Sequence, residues 1–346
     1  MLLLGFDLNN PDCITNGANN WNVSTVGPVV FDTAYRFASA YGRNGCMKCD
    51  SASPAYLAMP VQGTNYFIDP FTHSPGSSIT SGCTVTFAFK YTGNYPQTPI
   101  LQFSTSDGSI PLQFSNGVLT LQTTPAIRHP RMLKPGIWYM VRVSIYYGYA
   151  TVGINNHIVT ASKNSFTVSS INVGAINGCS GAQFYYDDLY VDYTSDAGAR
   201  KDIKSESLAV TADSLAGWTP GGTAQASHAA ILSLTSANVP QVSTLSSSVT
   251  GTQEKLTLQD LPAAAAGVMC VQYNIHGYSS ADGAIQALAN DRVPSRIVTT
   301  YPYATYATTI RLSNTWKMYF HCTTLASAPW TPSSVNSNTF GFQLVN

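Results

Sequence analysis

Apolar and polar residues alternate with a period of two along most of this chain, and that limits it to β-structure. Successive side chains of a strand point to opposite faces, so an alternating run can bury one side only as a strand. Residues 83–90, Cys-Thr-Val-Thr-Phe-Ala-Phe-Lys, set Val85, Phe87 and Phe89 against Thr84 and Thr86 and predict a half-buried strand. Ser115-Asn116-Gly117 joins Ile110–Phe114 to Val118–Gln122, because Asn-Gly supplies the positive φ values of a type I′ hairpin. Gly136–Ile145 predicts a long strand with Trp138 near its start, placing Trp138, Met140 and Arg142 on one face and Tyr139, Val141 and Val143 on the other. Ala150–Ile154 and His157–Thr160 flank Asn155-Asn156, a second turn tolerant of left-handed geometry. A further strand is predicted over Gln183–Asp192.

A polar, charged stretch from Thr194 to Lys204 breaks the alternation and reads as a linker. The 346 residues therefore divide into a domain over 1–196, a linker over 197–204 and a smaller β domain over 205–346. In the second part, strands are expected at Val249–Leu258, Val268–Ile275, Ser295–Thr300, Ala307–Leu312 and Phe340–Val345. Ala281–Asn290 reads as a short helix, and Tyr301–Tyr306 as a loop whose tyrosines either fill the core or pack against a neighbouring subunit.

Composition narrows the function. Charged residues are 10% of the chain, so Ser, Thr, Asn and Gln must cover its surface, while 44% hydrophobic content with 20 Tyr and 14 Phe suffices for a core. Lys plus Arg and Asp plus Glu balance at 17 each without runs, which argues against nucleic-acid partners. Met1-Leu2-Leu3-Leu4-Gly5-Phe6-Asp7 lacks the basic region of a signal peptide, and the longest apolar stretch, Ala263–Val271, is half of what a membrane span requires. The chain is thus expected to be made in the cytoplasm, to act without a membrane, and to leave the cell by a route such as host lysis. Cysteines stand at 13, 46, 49, 83, 179, 270 and 322; the odd number implies no disulfide framework, and Cys46-Met-Lys-Cys49 leaves zinc, a loop disulfide or unpaired thiols open. The six histidines (73, 129, 157, 228, 276, 321) show no ligand spacing.

The Gly136-Ile137-Trp138 strand, the Gly153-Ile154-Asn155-Asn156 hairpin and the closing Tyr186-Asp187-Asp188-Leu189-Tyr190-Val191-Asp192 strand together resemble concanavalin-A-like (laminin-G-like) jelly rolls. The opening Leu4-Gly5-Phe6-Asp7 fits as well, since first and last strands pair in that fold. Further on, Arg200, Ser205-Glu206-Ser207-Leu208, Thr211-Ala212-Asp213 and Trp218-Thr219-Pro220 resemble the stretch that follows the lectin-like domain in structural proteins of tailed bacteriophages. Their second β domain is matched by Leu261-Pro262, Val271-Gln272, Trp330-Thr331, Val335-Asn336 and Phe340-Gly341-Phe342. The departure lies between Ala226 and Val249, where Ser, Thr and Val replace an expected acidic stretch.

The resemblance implies an all-β protein, a jelly-roll sandwich plus a smaller β-sandwich. It would act without catalysis as a minor virion component, on tail, baseplate or head exterior, present in many copies or bound to a symmetric partner. The alternative is a glycan-binding module for host attachment, and the remote one a polysaccharide hydrolase. Glycosidases work with two carboxylates; jelly-roll hydrolases supply theirs as Glu-x-Asp-x-x-Glu, whereas this chain has no glutamate before Glu206 and only Glu254 after it. For a glycan, the flat faces of Tyr139, Tyr147, Tyr149 and Tyr185 are the candidates, with Tyr146 and Tyr186 in the same group, and the competing reading is that these fill the core. Asp187 and Asp188, expected on opposite faces, are candidates for a calcium ion, or for satisfying backbone amides.

Overall fold

The computed structural model describes residues 3–6, 24–32, 45–60, 82–94, 96–146, 148–155, 157–162, 167–192, 208–222, 227–229, 243–268, 271–275, 283–290, 295–298, 304–307, 309–312, 318–322, 324–325 and 328–345. The chain divides into two compact units, one of Leu2–Gly17 and Trp21–Ser205, the other of Glu206–Asn346 with Met1 and Ala18–Asn20. The predicted linker at 197–204 lies outside the described residues.

The first unit holds fifteen described strands: β1 Leu3–Phe6, β2 Ser24–Val26, β3 Val30–Asp32, β4 Cys46–Cys49, β5 Ala55–Pro60, β6 Gly82–Gly93, β7 Thr98–Thr105, β8 Gly108–Ser115, β9 Val118–Leu121, β10 Ile127–Arg128, β11 Tyr139–Tyr146, β12 Tyr149–Ile154, β13 His157–Ser162, β14 Val168–Ala175 and β15 Ala182–Asp192. They form an eight-stranded sheet in the order β13-β12-β11-β6-β15-β4-β3, with β1 also on β15, and a seven-stranded sheet in the order β10-β9-β8-β7-β14-β5-β2. Every pairing is antiparallel. First and last strands pair as expected, Leu3–Phe6 against Asp192–Leu189. Both turns form where the sequence places them, with Asn116 at φ 51°, Gly117 at 77° and Asn155 at 54°.

The jelly-roll core lies between the two sheets. Phe89 and Tyr91 of β6 and Phe184 of β15 meet Phe114 of β8 at ring-centroid distances of 5.7, 4.8 and 5.7 Å. The predicted faces of β11 hold: Tyr139, Val141 and Val143 lie in register with Phe89, Phe87 and Val85, while Met140 and Arg142 lie beside Ala88 and Thr86. The half-buried expectation for β6 does not hold. Thr84 and Thr86 are each 2% exposed, so this strand is buried on both faces.

The second unit centres on a five-stranded antiparallel sheet in the order Val210–Ala216, Gln253–Leu258, Thr339–Leu344, Gly283–Ala289, Thr309–Leu312. Its core gathers Ile285, Ala287, Ala289, Trp330, Val335, Phe340 and Leu344. Within the expected helix Ala281–Asn290, Gly283–Ala289 is therefore a strand: pairing with neighbours on both sides overrides the helical preference of its alanines. Two other expectations shift. Val249 is exposed beside a turn and its strand starts at Gln253; Ala304–Ala307 of the expected loop pairs with Ser295–Val298, while Tyr301–Tyr303 lie outside the described residues. The motif Trp330-Thr331…Val335-Asn336 closes a one-turn helix, Pro332–Asn336. Thr331 accepts the Ser334 N–H through its hydroxyl, and Asn336 accepts the Leu261 N–H at 2.8 Å.

Phe89 is fully buried, with Phe184 and Tyr186 at 5.3 and 5.4 Å. Phe89→Ala should cost about 3–5 kcal/mol in denaturant unfolding, whereas Met132→Ala, at a 60% exposed position, should cost less than about 0.5 kcal/mol.

Candidate functional site

The outward face of the eight-stranded sheet is polar yet largely buried. Register places Thr84, Thr86, Ala88 and Lys90 of β6 beside Ser144, Arg142 and Met140 of β11 on one side and Tyr190, Asp187 and Tyr185 of β15 on the other. Thr84, Thr86, Lys90, Arg142, Ser144 and Asp187 are all buried. A buried hydroxyl needs a partner: the Thr84 Oγ1 donates to Ser144 Oγ at 2.8 Å and lies 2.8 Å from the Tyr146 hydroxyl.

Towards the far end of β6 and β15 this face opens into a shallow cleft of about 420 Å³, lined by Asp50, Thr92, Gly93, Gly181, Ala182 and Gln183. Its rim is a close approach of two turns. Gly93 and Gly181 have φ of +84° and +77°, the Asn94 N–H donates to Gly181 O at 3.0 Å, and a Cβ on Gly93 would stand 2.5 Å from that oxygen. Beside the cleft the Lys90 ammonium lies 4.9 Å from the Tyr185 ring centroid and 5.6 Å from that of Trp138. Desolvation on burial lowers the Lys90 pKa. The Tyr185 hydroxyl donates to Gln183 Oε1 at 2.6 Å and the Thr92 hydroxyl donates to the same oxygen at 3.3 Å. With Oε1 taken by two donors, the Gln183 amide turns its N–H groups the other way. Lys48 pairs with Asp50 at 2.8 Å, and this hydrogen bond raises the lysine's pKa.

The sequence's tyrosine group is not one platform. Tyr139 is 4% exposed, faces the core and accepts the Lys134 N–H at its hydroxyl; Tyr185 is 1% exposed beneath Lys90. Neither offers an open ring face, because alternation puts Tyr139 on the inner side and the lysine covers Tyr185. Tyr149 is exposed and stacks on Tyr146 at 5.0 Å, at the Gly82 end of β6, roughly 26 Å along the strand from Lys90. Tyr147 lies outside the described residues.

Asp187 and Asp188 also depart from expectation. A bulge sets Asp188 and Leu189 of β15 against the single Phe87 of β6, with Asp188 at φ 46°. Both carboxylates are buried, and Asp187 accepts the Asp188 N–H at 2.9 Å, the backbone-satisfying alternative. Among the described residues no group of three His, Cys, Asp or Glu side chains could hold a metal ion. Nor do Cys46 and Cys49 converge. Three apart on β4, they point to opposite faces, and with Cys83 and Cys179 they are buried and form no disulfide. Burial first, then Asp187 and Asp32, pushes the Cys46 thiol to about 12; burial likewise pushes Cys49 to about 12 and Cys179 to about 11. These are protonated thiols at neutral pH, poor nucleophiles where they stand.

Two clusters were invisible in the spacing. Glu254, fully buried in the second unit, accepts the Gly217 and Trp218 N–H groups at 3.0 and 3.1 Å through Oε2 and contacts His228 Nδ1 at 2.8 Å through Oε1. In the first unit, His129 and His157 touch at 3.1 Å, joining the strand ends of the two sheets. The Arg131 N–H donates to His129 Nδ1, which leaves the proton on Nε2, 3.2 Å from His157 O.

No known protein family and no curated protein sequence matches the chain. Among solved structures it is similar to a sialidase (11% identity, TM-score 0.33), covering 56% of this chain and 18% of that one. It is also similar to a point mutant of a protein designated HCR/D (11%, TM-score 0.38, covering 87% and 92%) and to lectin II from Ulex europaeus (10%, TM-score 0.32, covering 55% and 97%). Likenesses this remote assign no role to any residue, and the cleft stands on its own geometry.

Burial lowers the His129 pKa below its ordinary 6.5, opposed by the hydrogen bond to the His157 backbone and aided by the His157 and Arg131 charges. Below that value the unfolded chain binds a proton that the folded chain resists, so the stabilisation is full above 6.5 and is lost as pH falls. The denaturation midpoint of the wild type should fall between about pH 7 and pH 5, and His129→Gln should flatten that slope.

Proposed function

We propose that this chain is a non-enzymatic saccharide-binding protein of a tailed-phage particle, with the cleft at Gln183 as its sugar site. The observation that carries this reading is the Gln183 amide, fixed by Tyr185 and Thr92 beside the Trp138–Lys90–Tyr185 stack. A sugar needs oriented donors and acceptors for its hydroxyls and an aromatic edge for its C–H face. Gln183 and Thr92 supply the first, with Asp50 as a further acceptor, and half-buried Trp138 supplies the second. The non-enzymatic part is supported by Glu254, whose two oxygens are already engaged. Host-surface glycan is the expected ligand, and neither nucleic acid nor membrane is expected as a partner. Titration with lipopolysaccharide and capsular polysaccharide should give saturable binding. Trp138→Ala and Gln183→Ala should each weaken it about tenfold or more, while Tyr149→Ala should leave it unchanged. Absence of saturable binding to any such polysaccharide, or unaltered binding in both variants, sinks the sugar site.

The second reading is structural: a multi-copy virion component on tail, baseplate or head exterior, with 1–196 and 205–346 acting as separate domains. It rests on the run of phage-like motifs through nearly the whole chain, several of which, Trp330, Val335 and Phe340, build the second unit's core. Gold-labelled antibody on purified particles should give regular label. Unlabelled particles that also lack peptides of this chain would remove the virion assignment from both readings.

A further inference from the structure

Among the described residues, the sheet edges of the first unit are blunted by shortness, with one exception. The terminal strands β10, β2 and β3 have two, three and three residues and β1, which pairs only with β15, has four, whereas β13, at the other end of the eight-stranded sheet, has six. Its sequence, His-Ile-Val-Thr-Ala-Ser, contains no Lys, Arg, Asp, Glu or Pro, the residues that usually guard such an edge. His157, Ile158 and Thr160 are exposed, and Ile158 is 36% exposed where it lies over Gly153.

Register decides which backbone groups are left over. Ile154 and His157 flank the two-residue turn and bond each other, so Val159 and Ala161 bond inward to Val152 and Ala150. Ile158, Thr160 and Ser162 therefore turn their N–H and C=O groups out of the sheet. His157, the strand's one titratable residue, is held at the turn by His129 and stays clear of that row.

We propose that β13 pairs antiparallel with β13 of a second copy of this chain, about a two-fold axis at Thr160, joining two eight-stranded sheets into one. The row is self-complementary. Thr160 faces its own copy, Ile158 faces Ser162, and Val159 faces Ala161, so each residue meets one from the same sheet face. A second copy fits better than a charged partner, because the strand offers no ionic complement and two copies of it do not repel. This inference deepens the multi-copy reading and is independent of the sugar site.

Sedimentation velocity on the full chain, over a concentration series into the micromolar range, tests it. The wild type should dimerise. Thr160→Pro removes only an outward N–H and Ile158→Lys places a charge on the edge; each should raise the dissociation constant at least about tenfold. Hydrogen exchange on the wild type gives a readout independent of variant folding: protection at Ile158 and Thr160 should rise with protein concentration. A wild type that stays monomeric, a dimer indifferent to both variants, or exchange in β13 that ignores concentration overturns the proposal. Particle labelling without dimerisation would leave the multi-copy reading standing and remove only this edge.

Discussion

The first unit depends on the pairing of β6 with β15, and that pairing depends on one bulge. Up to Asp187 the two strands run in register against Ala88; from Tyr190 they resume against Thr86. The extra residue shifts the alternation of β15 by one. Phe184 and Tyr186 before it, and Leu189 and Val191 after it, thus all reach buried positions. It also lets the far edge of β15 change partner, from β4 at Phe184–Tyr186 to β1 at Leu189–Asp192. A non-glycine residue at φ 46° costs on the order of 1 kcal/mol. The bond from the Asp188 N–H to the Asp187 carboxylate offsets part of that cost and ties the bulge in place.

Placed next to that bulge, the polar face of the sheet follows a different rule from an ordinary antiparallel sheet, which leaves one side to water. Its hydroxyls bond one another across strands, Thr84 to Ser144 and Tyr146, and its lysine lies over aromatic rings. Burying a neutral hydroxyl with a partner costs little, and burying an unpaired ion costs much. This face nevertheless buries three ionisable side chains, Lys90, Arg142 and Asp187, among its hydroxyls. The cleft lies where the face runs out, at Thr92 and Gln183, beyond Lys90 and Tyr185.

Much of this was legible in the chain itself. Asn116-Gly117 and Asn155 announced their turns, because only a few residue types tolerate positive φ there. The faces of β11 followed from alternation, and the meeting of first and last strands from the resemblance. What alternation cannot tell is whether a polar face is wet: Thr84 and Lys90 read as solvent-facing and are buried. It also fails where composition misleads, as in the alanine-rich strand Gly283–Ala289, which takes its state from partners on both sides. Contacts between distant segments leave no local trace. His129 and His157 stand 28 residues apart, and His228 and Glu254 stand 26 apart. Asp188 was misplaced because a bulge is invisible until the partner strand is known.

The carboxylates show how the chain uses the charge it has. Glu254 holds the Gly217 and Trp218 amides, Asp213 accepts the His228 and Ala229 amides, and Asp187 accepts that of Asp188. In each case an acid fixes backbone where strands break or turn, and such bonds are worth more than neutral ones. An acid so engaged is a poor proton donor or nucleophile, since leaving its bonds would strand buried N–H groups. At the cleft the remaining carboxylate, Asp50, is paired with Lys48, Gln183 and Thr92 bring an amide and a hydroxyl, and the Trp138 indole lies beside it against Lys90. Under the proposed saccharide reading, discrimination would lie in hydrogen-bond geometry, not in electrostatic attraction.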